Sequence, residues 1–240
     1  MKKTIFIMAM IAALASCTPK HDEHPNTQYF DAIATFRPLD NGDYYIKIDD
    51  RNAIIPINDE LQEYPFSDGK EKRALIEYSV NYDDQSGRKI DGYIYTQDAR
   101  IYFADTIRCK NPVSANSEEM AKAYGTDPVT ICVDEEDWPN TIVEDGYLNV
   151  RFSLPGSYLG IQHEVNLVYG MNPDDPYEVW FMHNANGDSL LVPTDNLICF
   201  PLKDLPDTFG ATEPLTLVWF DYLSGETERA IFDYCTRTDW

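Results

Sequence analysis

Positive charge is what this sequence lacks most: 19 lysines and arginines stand against 41 aspartates and glutamates, a formal charge of −22 over 240 residues. A field of that sign repels phosphate backbones and anionic bilayer surfaces, which excludes nucleic acid as a partner and a basic patch as a membrane tether. The signatures of common catalysts are missing as well. There is no GxSxG elbow, no Walker loop and no glycine-rich dinucleotide fingerprint. No cysteine has a defensible histidine partner for nucleophilic chemistry. Glycosidase chemistry needs two carboxylates at a fixed separation, and nothing in the sequence singles out a pair among so many acids. The absence of any CxxC argues against a zinc site. Long helical periodicities are scarce, and no apolar run is long enough to span a bilayer. The expectation is a protein without enzymatic activity or cofactor.

What the sequence has is apolar and aromatic residues in quantity: 43% hydrophobic, with 16 tyrosines and 11 phenylalanines, enough to build real cores. It also has an address. Lys2 and Lys3 precede an apolar run from Ile5 to Leu14, and Leu14-Ala15-Ser16-Cys17 follows. That order is a secretory signal with an apolar core too short for a stable span. The tetrapeptide resembles the bacterial lipobox, whose thiol accepts diacylglycerol before cleavage on its N-terminal side. Residues 1–16 are thus expected to be removed and Cys17 to carry the lipid that holds the chain to the outer membrane, on its periplasmic or outer face. Thr18 stands where an inner-membrane retention signal would place Asp. Acyl chains on Cys17 are the expected membrane partner.

Residues 17–28 read as a polar tether without periodicity. Within it His21, Asp22, Glu23 and His24 look like metal ligands, but a mobile linker loses all its ordering entropy on chelation. Lys20-His21-Asp22-Glu23 loosely resembles the charged tag of surface-exported lipoproteins. Residues 29–110 alternate as strands do: Ile76, Tyr78, Val80 and Tyr82 oppose Glu77, Ser79, Asn81 and Asp83, while Tyr44, Ile46 and Ile48 oppose Tyr45, Lys47 and Asp49. Strands are expected near 29–37, 43–50, 53–58, 72–84 and 89–108, with tight turns at Asn41-Gly42 and Ser86-Gly87. That count suits a five-stranded OB-like barrel. Residues 111–126 form a linker with one short helix, Ser117 to Tyr124, entered through Asn116 and Glu119 and stopped by Gly125. From 127 to 240 strands recur at the spacing of an immunoglobulin-like β-sandwich, near 129–133, 147–154, 163–169, 177–183, 196–200, 215–222 and 229–235. Leu215 to Leu223 is apolar enough for a central strand covered on both faces. The expected fold class is all-β.

Four stretches carry a resemblance in their order: Tyr44-Tyr45-Ile46-Lys47-Ile48-Asp49-Asp50, Gly125-Thr126-Asp127-Pro128-Val129, Tyr147-Leu148-Asn149-Val150-Arg151-Phe152, and Phe181-Met182-His183-Asn184-Ala185 with Gly187-Asp188. Together with the lipobox they make the chain similar, over nearly its whole length, to the NigD-like lipoproteins of Bacteroides and Prevotella relatives. The resemblance implies a barrel, a short helix and a sandwich on a lipid anchor. The family's name comes from a bacteriocin operon, which implies an immunity or accessory role and no agreed biochemical activity.

Cys109, Cys132, Cys199 and Cys235 allow three pairings or four free thiols, and Cys199–Cys235 is the expected bridge because both lie on late strands. His163 and His183 have inward parity. They are either a pair acting with Asp188 or, as favoured here, strand-end histidines bonded to nearby backbone. Asn184-Ala185-Asn186-Gly187-Asp188 is first a turn, and it lacks the acid spacing and late glutamate of an EF-hand loop. Asp134-Glu135-Glu136-Asp137 and Asp174-Asp175 are solvated loop acids. Tyr82, Tyr93, Tyr95 and Tyr102 fall on neighbouring barrel strands, where an OB barrel would stack a glycan, although rings on both parities also serve as core filling. Asp105-Thr106-Ile107 and Asp188-Ser189-Leu190 resemble a short O-glycosylation site. The partners expected are therefore an envelope protein or a cationic peptide, with a surface glycan as the alternative and a calcium-dependent structural role behind both.

Overall fold

The computed structural model describes residues 26–39, 43–49, 52–57, 68–85, 89–90, 94–133, 138–156, 160–189 and 192–239. Cys17, the signal segment, nearly all of the tether, both expected turns and Asp134–Asp137 lie outside the described residues.

The N-terminal half is a closed barrel. β1 (Thr27–Pro38) pairs antiparallel with β2 (Tyr44–Lys47) on one side, while β3 (Asn52–Pro56) continues from β2. The other side of β1 pairs with β4 (Lys72–Asn81), and after the two-residue β5 (Lys89–Ile90) the long β6 (Ile94–Thr106) pairs with β4. β6 also runs parallel to β3, Asn52 opposite Tyr95 through Pro56 opposite Ala99, and this contact closes the ring. Ala32, Ala34, Phe36, Ile46, Ile54, Ile76, Tyr78, Val80 and Ile101 fill it. The period-two pattern of β4 buries Ile76, Tyr78 and Val80 as expected and leaves Glu77 in solvent. A register shift at Glu77/Tyr78 lets β4 bend around the barrel.

The strand expected over 89–108 is three strands. Its last piece, β7 (Arg108–Cys109), leaves the barrel and pairs in the next domain. β8 (Val113–Ser114) follows, then α1 (Glu118–Ala121) capped by the Ser117 side chain, which accepts from Met120 N, and a 3-10 turn at Lys122–Tyr124. The cap is Ser117 rather than Asn116. Gly125 ends the helix with φ at +97°, and a Cβ there would meet His183 O at 2.2 Å, so glycine is needed twice over.

The sandwich has one sheet of β10 (Ile142–Glu144), β11 (Tyr147–Gly156), β14 (Val192–Pro201) and β7, with β9 (Thr130–Ile131) beside β11. The other runs β16 (Thr227–Tyr234), β15 (Glu213–Phe220), β13 (Glu178–Asn184), β12 (Glu164–Tyr169) and β8. Leu148, Val150, Phe152, Ile198 and Phe200 meet Leu167, Val179, Phe181, Leu215, Leu217 and Trp219 between the sheets. The apolar run from Leu215 is a central strand only to Phe220; Tyr222 and Leu223 are exposed in the turn beyond it.

The disulfide is Cys109–Cys199, not Cys199–Cys235. Parallel pairing of β7 with β14 sets Cys109 directly opposite Cys199, with Cα atoms 4.6 Å apart. Cys235 follows β16 in the opposite sheet, where its exposed thiol accepts from Thr208 Oγ1.

Candidate functional site

Three places gather polar or aromatic groups. On the barrel, Tyr82 is exposed just beyond β4, and Tyr102 is half-buried on β6. The ring beside Tyr102 is that of Tyr29, with centroids 5.9 Å apart, and the Tyr102 hydroxyl lies 3.1 Å from Ser79 Oγ. Tyr95 is described by its backbone alone and Tyr93 not at all. A hollow of about 160 Å3 opens nearby between Thr27, Asn81, Asp84, Asp98 and Arg100. Tyr29 was not anticipated, since it stands at the edge of the expected tether.

The second place is the junction between barrel and sandwich. The turn joining β10 to β11 is Asp145-Gly146, both at positive φ, the arrangement that suits a two-residue hairpin. It carries Asp145 into the barrel wall, where the carboxylate takes hydrogen bonds from Arg37 Nη2 at 2.6 Å and meets Lys47 Nζ at 3.0 Å. The C-terminal segment closes over the same spot. Arg237 donates both Nη groups to Glu71 at 2.7 and 2.5 Å, and Tyr147 donates to Glu71 at 2.6 Å. Asp239 pairs with Arg37 and with Arg237 Nε. Arg73, 1% exposed, donates to Thr35 at 2.7 Å and to Asn149 at 3.3 Å, and its guanidinium lies over the Tyr147 ring at 5.2 Å.

Burial disfavours the charges on Arg37, Arg73, Asp145, Arg237 and Asp239, and the neighbours act against it. At Arg73 burial outweighs Asp145, Glu144, Tyr147 and Glu71, and the pKa falls to about 10. Burial also opposes the charge on Asp145, but Arg237, Thr35, Arg37 and Lys47 outweigh it and hold that carboxyl below its usual value. Asp239 is drawn down to about 2 by Arg237 and Arg37 against the same penalty. Glu71 and Asp145 likewise keep the Arg237 pKa above the ordinary value despite burial. The arrangement welds two domains, and beside it a hollow of about 270 Å3 opens between Glu71, Lys72, Arg73, Thr106, Ile107 and Cys109.

The third place is the rim of the sandwich. His163 and His183 meet as the inward parity suggested, with Nδ1 of His163 2.9 Å from Nε2 of His183 and rings stacked at 5.0 Å. His183 Nδ1 donates to Pro128 O at 3.0 Å, and His163 Nε2 lies 3.1 Å from Asp188 Oδ2. His183 is bonded to backbone, as the favoured expectation has it, while His163 bridges from His183 to Asp188. Asn184 Oδ1 accepts from Asn186 N, and Asn186 and Gly187 take positive φ, so the 184–188 stretch is a turn. The donors are strung in a line, not around a point. Among the described residues no group of three His, Cys, Asp or Glu side chains is arranged to hold a metal. Beside His183, Gly125, Thr126, Asp127, Trp180, Met182 and Phe220 line an apolar groove of about 280 Å3.

Residues 111–234 match the family model described as the NigD-like C-terminal beta sandwich domain. Among solved structures, a protein of Parabacteroides distasonis described as toxin-related is 26% identical, covers 87% of this chain and 94% of its own, and superposes with a TM-score of 0.66. A NigD-like immunity protein of Bacteroides caccae is 18% identical over 86% of this chain and 96% of its own, with a TM-score of 0.56. A protein of Bacteroides fragilis described as a lipoprotein is 10% identical over 88% and 100%, with a TM-score of 0.60. The latter two share the fold. No curated protein matches.

Proposed function

The chain belongs to the NigD-like family, and from that premise we propose that it is a lipid-anchored envelope protein, held by Cys17, that works by binding a partner and not by catalysis. The observation that carries this reading is the family match over residues 111–234, half of the chain. The junction supports it. Barrel and sandwich are joined through buried ion pairs and a bidentate Arg237–Glu71 contact, so a partner meets one stiff body at the end of a tether. The net charge of −22 favours a cationic partner, and a cationic bacteriocin is the specific form of the proposal. The structure described as a NigD-like immunity protein is consistent with that form.

Two experiments test it. Metabolic labelling with an alkynyl fatty acid labels the wild-type chain in the outer-membrane fraction and leaves the Cys17→Ala chain unlabelled; equal labelling removes the anchor. A deletion strain is more sensitive than its parent to supernatants of competing bacteria; unchanged sensitivity removes the immunity form and leaves an accessory role.

A second reading, a glycan-binding surface, is favoured by the Tyr29–Tyr102 ring pair beside the polar hollow of the barrel. A glycan array probed with the soluble chain and its Tyr102→Ala variant decides it. Binding lost in the variant supports this reading, and an empty array removes it.

A further inference from the structure

The polar groups running from Pro128 to Asp188 fix a proton count. Pro128 O has no proton to give, so His183 Nδ1 carries one. His183 Nε2 and His163 Nδ1, 2.9 Å apart, need one proton between them, because two bare lone pairs at that distance repel. His163 Nε2 and Asp188 Oδ2, 3.1 Å apart, need another. Two neutral rings beside an ionised acid have one proton too few for these three bonds. We propose that His163 and His183 share one imidazolium charge, matched by Asp188, and that this proton closes a clasp joining three segments at one end of the sandwich. Those segments are the strap 125–128, the turn 184–189 and the stretch 160–163.

Other contacts place the clasp at a junction the fold depends on. Asp127 N donates to His183 O at 2.9 Å, and the Asp127 carboxylate accepts from Ala185 N at 2.7 Å. Asn186 Nδ2 donates to Gln162 O at 2.7 Å, which ties the turn to the third segment. The charged groups that face the pair are Asp127 from the strap and Asp188 from the turn; Glu164, next to His163 on β12, is exposed. On β11, a Cβ at Gly156 would come to 3.6 Å from both the His163 ring and Asp188. Burial pushes the His183 pKa down, the hydrogen bond to Pro128 opposes that, and His163 adds to the lowering. Removing the proton leaves one of the three contacts a repulsion. The strap is one wall of the groove containing Trp180, Met182 and Phe220, so opening the clasp frees that wall.

Long-range 15N–1H spectra of the soluble chain at about pH 7.5, where an ordinary imidazole is only about a tenth protonated, read the count directly. The proposal expects three protonated nitrogens on the two rings beside an ionised Asp188, whose state is read from its 13C carboxyl shift; two neutral rings beside a protonated Asp188 overturn it. Two protonated nitrogens and an ionised Asp188 overturn it as well. The second arm measures hydrogen-exchange protection factors of the Asp127, Ala185 and Asp188 amides across the titration. They fall about fivefold as the proton leaves, the equilibrium worth of one hydrogen bond, and they stay level in His163→Gln, whose amide does not titrate. Protection in the wild type that does not change with pH overturns the clasp.

Discussion

Replacing Asp145 with Asn should destabilise the chain by about 3–5 kcal/mol, the range for removing one partner of a buried ion pair. The substitution isolates the charge. Asn tolerates the positive φ of the hairpin turn as Asp does, so the backbone of Asp145-Gly146 has no reason to move. What is lost is the carboxylate between Arg37 at 2.6 Å and Lys47 at 3.0 Å, with Arg237 Nη1 at 3.8 Å. Its side chain is 2% exposed and those of Arg37 and Lys47 are 6% and 8% exposed, so water cannot take over the solvation. Lys47 would then lose its carboxylate, and Arg37 and Arg237 would keep only the more exposed Glu71 and Asp239. The assay is urea unfolding of the soluble chain, followed separately by far-UV and tryptophan signals, since uncoupling of the domains would split the transition. Adding Lys47→Met, which removes the stranded cation, should recover part of the loss. A loss below about 1 kcal/mol, typical of exposed pairs, would refute the reasoning, because it would mean the junction is wet.

Acid should weaken the same junction. Asp145 and Asp239 have folded pKa values below their unfolded ones, so their stabilisation is complete above about pH 4 and is lost as pH falls towards about 2; a melting series across that window checks it. Reducing Cys109–Cys199, which closes a separation of 90 residues, should remove about 4–5 kcal/mol on the loop-entropy model. Before reduction, thiol titration of the soluble chain should find Cys235 reacting and Cys109 inert. Gly125→Ala should cost about 2 kcal/mol or more, from the positive φ and the clash with His183 O, read as a lower melting temperature.

The barrel was legible where one face met the core and the other met water. Ile76, Tyr78 and Val80 announced β4 by alternation, β1 and β3 followed within two residues, and β2 ends three residues short of the expected strand. Alternation misled wherever the second domain covers the outer face. Tyr45 and Lys47 read as solvent-facing, yet both are buried because the sandwich packs there. Asp145-Gly146 is a turn signal that was available and passed over, and with it β10. That this acid is buried was not legible, because its three cations come from positions 37, 47 and 237. The disulfide failed for the same reason. Sequence position put Cys199 and Cys235 together, whereas the parallel return of β7 beside β14 decided the pairing. Parity found His163 and His183 facing inward, but only the register of β12 with β13 and the 184–188 turn could bring them to Asp188.

The central claim is that the anchored chain works on a partner. It is tested most directly by crosslinking affinity capture from intact cells, comparing the wild-type chain with Cys17→Ala. The account predicts one envelope protein or cationic peptide recovered in near-equal amount with the anchored chain and lost with the unanchored one. Recovery of the bait alone from both strains would contradict it.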